Sequence, residues 1–159
     1  MMCRRKLEEK NLNTFNKIEF IFSNEILVVS ILAWFVAQLI KVIIVIIKDK
    51  RIDFTKFVSS GGMPSSHSAF VSAMSFAVGE KLGYDDPLFA VALIISMVVM
   101  YDASGVRRAA GKQAEVLNKL VYEIDEDLSG ERLKELIGHT PIEVVIGAIL
   151  GASLAIIFI

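Results

Sequence analysis

Two histidines, His67 and His139, each stand at the start of a long apolar stretch and directly after a turn-forming sequence. The beginning of a helix gathers free backbone N–H groups and the positive end of the helix dipole, so it binds anions. The turn before His67 runs from Gly61 through Pro64 to Ser65 and Ser66. Its amides, two hydroxyls and an imidazole can face one phosphate group. The spacing therefore predicts a phosphate site.

Cations that could balance a phosphate occur in the same parts of the chain. Arginine forks onto two phosphate oxygens, whereas lysine supplies a compact point charge. The candidates are Lys41, Lys48, Lys50, Arg51, Arg107 and Arg108.

Lys41 admits two interpretations. It lies three residues after Gln38 and shares a helix face with it, which favours a polar face that points into a helix bundle. The alternative is a lysine whose stem lies in lipid while its ammonium reaches the membrane interface.

Four motifs contain both histidines, Lys41 and the pair Arg107-Arg108, and together they resemble the divergent branch of the type 2 phosphatidic-acid phosphatases. That family is related to bacterial acid phosphatases and to vanadium-dependent haloperoxidases. The motifs are Gln38-x-x-Lys41, residues 61–69, residues 101–114 and residues 136–144. The resemblance covers most of the chain.

The resemblance implies a role for each matching residue. His139 would attack phosphorus, Glu143 would orient His139, and His67 would protonate the leaving oxygen. It implies no metal or other cofactor. The implied phosphate ligands are Lys41, Lys48, Arg51, Ser65, Ser66, Arg107 and Arg108.

The third motif of the parent superfamily is divided in this sequence. Arg107 and Arg108 precede His139 by about thirty residues, where the parent pattern holds arginine and histidine close together. We therefore weigh two functions: a membrane phosphatase, and a non-catalytic lipid-binding or scaffold protein that keeps the anion site.

Glu143 and Asp102 have structural interpretations as well. Thr140-Pro141-Ile142-Glu143 is a capping box that opens a helix with proline at its first position, so Glu143 could cap the helix or orient His139. Asp102 could be a helix-end residue exposed to water or could pair with an arginine of its own turn, and we expect the pairing.

The elements that carry these residues are predicted from long apolar runs that hold almost no charge. The chain is 54% hydrophobic, and a helix needs about 20 apolar residues to cross a bilayer. We predict an all-α integral membrane helical bundle with about four transmembrane helices plus amphipathic surface helices, as one domain over residues 1–159. The predicted spans are about 25–47, 64–82, 88–103 and 141–159.

The polar connector 109–138 is predicted to hold an amphipathic surface helix and a second short helix, residues 131–137. Pro64 is placed in the first turn of the second span. Four crossings would put every candidate site residue on one face of the membrane.

The predicted function is a multi-pass protein of the cell membrane that hydrolyses a lipid phosphate or pyrophosphate through a phosphohistidine. The expected partners are that lipid and the membrane, and no nucleic acid. Gly147 and Gly151 form a small-xxx-small pattern through which a homo-oligomer could assemble.

Overall fold

A computed structural model describes residues 21–49, 62–124, 133–135 and 137–159, without the side chains of residues 48, 49 and 122–124. All regular secondary structure in these ranges is helical, which confirms the predicted all-α fold. The helices are α1 (Glu25–Asp49), α2 (Ser66–Leu82), α3 (Pro87–Ser104), α4 (Val106–Ile124) and α5 (Pro141–Phe158).

Three helical stretches of the described chain are long and apolar enough to cross a membrane: Glu25–Ile47, Pro87–Val121 and Pro141–Phe158. α2 has 17 residues and packs against α1, α3 and α5. Large apolar side chains cover the outer surface, among them Val98 at 63% and Ile157 at 72% exposure. Such a surface requires a lipid solvent, and the prediction of a membrane helical bundle is confirmed.

Small residues let α2 lie close to its neighbours. Ala69 and Ala73 of α2 form a buried cluster with Ala33 and Ala37 of α1. Hydroxyl groups add bonds between helices: the Ser72 hydroxyl donates to the Ala148 carbonyl of α5 at 2.8 Å. In a membrane, close backbone contact and such hydrogen bonds take over much of the role that apolar burial has in water.

The face of α5 that carries Gly147 and Gly151 packs against α2 of the same chain. A Cβ at Gly147 would collide with the carbonyl oxygen of Ser65, and one at Gly151 would collide with that of Ala69. Both glycines are buried against α2. The expectation of a homo-oligomer through this face is therefore wrong, because the pattern encodes contact with α2.

Two local predictions are also corrected. Pro64 is not in the first turn of α2, because Ser65 is the N-cap and Pro64 precedes it after a cis peptide bond. The short helix predicted over residues 131–137 is absent from the described part of that segment, residues 133–135 and 137. There the Asn118 side chain of α4 accepts from the Leu133 amide at 3.0 Å and donates to its carbonyl at 2.9 Å, which takes the place of helical pairing.

α2 runs antiparallel to α1 and parallel to α5, so the motif-bearing ends meet. At one end of the bundle, Glu25 of α1 forms an ion pair with Lys81 of α2. At the other end, the Ser65 amide donates to the Glu143 carbonyl at 3.0 Å, and the His139 amide donates to the Ala103 carbonyl at 2.9 Å. All four motifs contribute to this second end.

Candidate phosphate site

His139 is placed by a tight turn between α4 and α5. Gly138 has a φ of +98°, a conformation that glycine adopts readily, and a Cβ there would lie 2.5 Å from the Arg108 amide nitrogen. The turn therefore rests directly on the first turn of α4. The His139 side chain is 2% exposed, and its Nε2 has no hydrogen-bond partner among the described residues.

Glu143 makes the contacts that both interpretations require. Its Oε2 lies 3.2 Å from His139 Nδ1 and accepts from the Thr140 amide at 2.9 Å. The Thr140 hydroxyl accepts from the Glu143 amide, which completes the capping box. A proton on Nδ1 satisfies the carboxylate and leaves the lone pair on Nε2, directed into the site.

The protonation state of His139 follows from its surroundings. Burial lowers the pKa of His139, and the charge of Lys41 lowers it further, while the hydrogen bond and charge of Glu143 and the backbone of Gly62 oppose these effects. The net direction is downward, so the imidazole is neutral at a pH where an exposed histidine begins to take up a proton.

Lys41 is buried inside the bundle rather than extended along its outer surface. It is 3% exposed, and its Nζ is buried without a hydrogen-bond partner among the described residues. Its stem runs beneath Gly62, where a Cβ would sit 3.4 Å from Lys41 Cγ and Cδ. A buried, unpaired ammonium is costly, and an anion bound beside it would remove that cost.

His67 lies far before His139 in the sequence but close to it in the structure. The two imidazole centroids are 6.5 Å apart and the rings are inclined by 60°. Reacting atoms in a productive complex approach to about 3–3.5 Å, so both rings can contact one phosphoryl group. His67 is also an exposed residue, which leaves it open to a ligand.

The divided third motif is joined in three dimensions. The turn that carries His139 lies against the junction of α3 and α4, and Arg107 and Arg108 are in the first turn of α4. Arg107 Nε donates to Asp102 Oδ2 at 2.6 Å, so the predicted pairing of Asp102 is confirmed. Arg107 is near enough for its charge to act on His67, and Arg108 is exposed.

Ser65 is primarily structural. Its hydroxyl accepts from the Ser68 amide at 3.3 Å and from the Ser68 hydroxyl at 2.9 Å, and its amide is bound to Glu143. The amides of Ser66 and His67 occupy the first two positions of α2, where no acceptor exists within the helix. These two amides, rather than that of Ser65, can face an anion.

The remaining predicted ligands fall outside what the structure describes. Arg51 lies outside the described residues, and the side chain of Lys48 does so as well, although its backbone belongs to α1.

Sequence reasoning gave no site role to two residues that bear on this arrangement. Gln38 is 5% exposed, and its Oε1 is the third buried polar atom without a partner in the described chain, after Lys41 Nζ and His139 Nε2. Asn118 anchors the segment that leads to His139. Its spacing from Gly111 and Ala114, one helical turn apart, could have indicated a buried stripe on α4.

The fold and the site define a class: a helical membrane protein with a histidine held by a carboxylate and, within the described part of the chain, a buried lysine without a hydrogen-bond partner at the same end of the bundle. A family model described as the divergent PAP2 family matches residues 22–154, and the chain belongs to that family. It is 42% identical over 150 residues to an uncharacterized membrane protein, YuiD, of Bacillus subtilis strain 168. That alignment covers 86% of this chain and 95% of the relative. No solved structure gives a significant match.

Proposed function

We propose that this protein is a phosphohydrolase of the cell membrane, with several membrane crossings, that removes phosphate from a lipid phosphate or pyrophosphate. The observation that carries the proposal concerns two buried polar atoms, His139 Nε2 and Lys41 Nζ, which have no hydrogen-bond partner among the described residues, while Glu143 contacts the other imidazole nitrogen, Nδ1. A nucleophile, its orienting carboxylate and a cation for the phosphate are the parts that such a reaction needs.

In the first step His139 Nε2 attacks phosphorus and the bond from phosphorus to the lipid oxygen breaks. His67, protonated at the start, gives its proton to that oxygen, so a lipid alcohol or lipid monophosphate leaves. The charge that develops on the phosphoryl oxygens is stabilised by Lys41 and by the amides of Ser66 and His67.

In the second step water attacks the phosphohistidine. His67, now neutral, accepts a proton from that water while the bond between phosphorus and Nε2 breaks. Inorganic phosphate is released, and both histidines return to their starting protonation states. The carboxylate of Glu143 keeps the Nδ1 proton in place throughout, which fixes Nε2 as the reacting nitrogen.

A lipid substrate is supported by the place of the site. It lies at the ends of apolar helices, where a headgroup can reach polar residues while its chains stay in hydrocarbon. Lys41 lies inside α1, eight residues before its end, which is about 12 Å along the helix axis, so its charge lies below the end of α1.

The test is phosphate release by purified protein from lipid phosphates and pyrophosphates, combined with trapping of an acid-labile phosphoprotein from radiolabelled substrate. We expect His139→Ala to abolish both signals. We expect His67→Ala to slow substrates with alkoxide leaving groups much more than an aryl phosphate, whose leaving oxygen needs no proton.

Thermal unfolding in detergent checks that each variant is folded. Equal phosphate release by the wild type and a folded His139→Ala variant would contradict the mechanism. Lipid phosphate binding without release by the wild type would establish the rival, a non-catalytic binding protein.

A further inference from the structure

An apolar groove of about 300 Å³ lies between α1 and α2. Ile31 and Trp34 of α1 form one wall, and His67, Phe70 and Val71 of α2 form the other. Ile31 is 49% exposed and Trp34 is 36% exposed, so the groove opens on the outer surface of the bundle, which faces hydrocarbon in a membrane.

The groove and the phosphate site share His67. On one side its ring is 6.5 Å from that of His139, and on the other side it lines the groove. His67 is the second residue of α2, and Val71 is one turn further along, about 6 Å deeper into the bundle. The groove therefore begins at the candidate general acid and runs away from the phosphate site towards the middle of the membrane.

We infer that this groove binds the hydrocarbon chain attached to the leaving oxygen of the substrate. The inference rests on the proposed function and deepens it. The oxygen that receives a proton from His67 is the one bonded to the lipid, so the first carbons of that lipid must pass beside His67. The apolar walls of the groove are what those carbons meet next.

The size of the groove limits what it can hold. A volume of about 300 Å³ is at the lower end of the range for ligand pockets, about 300–1,000 Å³, which suits one alkyl or isoprenoid chain rather than a bulky polar head. Burial of each methylene favours binding, and a phosphate held near Lys41 fixes where the chain starts.

The experiment uses full-length protein in vesicles and hexadecyl phosphate that carries a photoreactive diazirine within the first few carbons after the oxygen. Cross-linked residues are identified by mass spectrometry, and hexadecanol with the same diazirine reports contact with bulk hydrocarbon. Ile31→Trp fills the groove from its exposed side. Ile43→Trp is the matched control, because Ile43 is an exposed residue of the same helix that does not line the groove.

We expect the phosphate probe to label Phe70 and Val71, and Ile31→Trp to reduce that labelling about tenfold, as displacement of two methylenes would. Ile43→Trp should leave it unchanged. Equal labelling of the groove by the phosphate and alcohol probes, or equal effects of the two tryptophans, would overturn the inference.

Phosphate release from hexadecyl phosphate, measured in the same samples, separates the two proposals. Groove labelling without release would contradict the proposed function and leave the chain site standing. Phosphate release together with groove labelling that Ile31→Trp leaves unchanged would support the phosphatase and refute the binding of the chain in the groove.

Discussion

A single carboxylate oxygen, Glu143 Oε2, links the start of α5 to the orientation of His139. It accepts from the Thr140 amide at 2.9 Å and lies 3.2 Å from His139 Nδ1. The capping box fixes where the carboxylate stands, and the carboxylate then fixes the ring. A helix cap, which in most proteins contributes only stability, here also determines which imidazole nitrogen faces the site.

Substitution at the two ends of the capping box separates these contributions. Glu143→Gln keeps an oxygen that can accept from the Thr140 amide but removes the charge that holds the Nδ1 proton. We expect phosphatase activity to fall by about 10²–10⁴-fold, the usual contribution of a positioned acid–base group. Thr140→Val removes the other half of the box and should cost about 1 kcal/mol of stability with kcat little changed.

Steady-state kinetics and thermal melts of both variants check this division. An equal loss of kcat in Glu143→Gln and Thr140→Val would show that Glu143 acts only as a cap.

The pH dependence of activity follows from the direction of the His139 shift. Burial lowers the pKa of His139 in the folded protein, and Nε2 is nucleophilic only when the ring is neutral. Activity therefore persists as the pH falls through about 6.5, the ordinary histidine value, and is lost only at a lower pH. The measurement is kcat/KM for a lipid phosphate against pH. An acidic limb with its midpoint above about 6.5 would contradict the assignment, whereas a loss of activity at higher pH reports deprotonation of the general acid His67.

Residue types and spacing predicted which side chains lie together but not what each does. His67, His139, Glu143 and Lys41 converge as the motifs suggested. The role of Ser65 could not be predicted, because a serine before a helix can cap it or bind a ligand, and only the packing of α2 on α5 decides which.

At the scale of elements, the described residues between α4 and α5 pack against α4. Their contacts bring the turn that carries His139 next to Arg107 and Arg108, which the sequence separates. Asn118 Nδ2 donates to the Leu133 carbonyl at 2.9 Å and to Glu135 Oε1 at 2.8 Å. Gly111 lets residues 135 and 137 approach α4 so closely that a Cβ would collide with them. The sequence alone could not indicate this, since the contact joins residues far apart in the chain and has no periodicity.

Asn118→Ala tests whether this anchoring positions His139. The change leaves the Leu133 amide and carbonyl without the Asn118 side chain, so we expect a stability loss of about 1–3 kcal/mol and a lower kcat with KM less affected. Gln113→Ala, at an exposed position of the same helix, is the control and should change neither. Thermal unfolding together with phosphate release provides the two readouts, and a full kcat in Asn118→Ala would refute the positioning role.

The contact of α5 with α2 makes a second prediction at this scale. Gly151 faces the Ala69 backbone with no room for a Cβ, so Gly151→Ile must separate the helices. Overpacking of this kind costs about 1–3 kcal/mol or more. Ser153→Ile places the same side chain on the exposed side of α5 and should be tolerated. Melting temperatures in detergent compare the two, and equal values would show that this helix pair is not packed as described.

For the whole molecule, the pattern of apolar runs predicted the class of fold because each run must be covered by lipid or by another helix. The predicted spans and the helices differ mainly at boundaries: α2 begins at Ser66, and α4 begins immediately after Gly105. Hydropathy does not report such boundaries, since caps and backbone turns determine them. The antiparallel packing of α1 with α2 and the parallel packing of α2 with α5 then bring the site residues to one end of the bundle.

The orientation of that end is predicted from the distribution of basic residues, which favours the cytoplasmic side of a membrane. The connectors and polar helices assigned to the site end hold ten: Lys48, Lys50, Arg51, Lys56, Arg107, Arg108, Lys112, Lys119, Arg132 and Lys134. The termini and connector of the opposite end hold six: Arg4, Arg5, Lys6, Lys10, Lys17 and Lys81. The excess at the site end predicts that the site faces the cytoplasm.

Catalysis and topology draw on some of the same residues, so the orientation has to be measured directly. Four of the ten, Lys48, Arg51, Arg107 and Arg108, are implied phosphate ligands, and without them the two ends hold six bases each. Single cysteines in place of Lys112 at the site end and Tyr84 at the opposite end, in a Cys3→Ser background, report the side through an impermeant thiol reagent on intact cells. We expect labelling at position 84 and not at 112, with both labelled after permeabilisation. The reverse pattern would place the phosphate site outside the cell, where its substrates would be lipids of the outer leaflet.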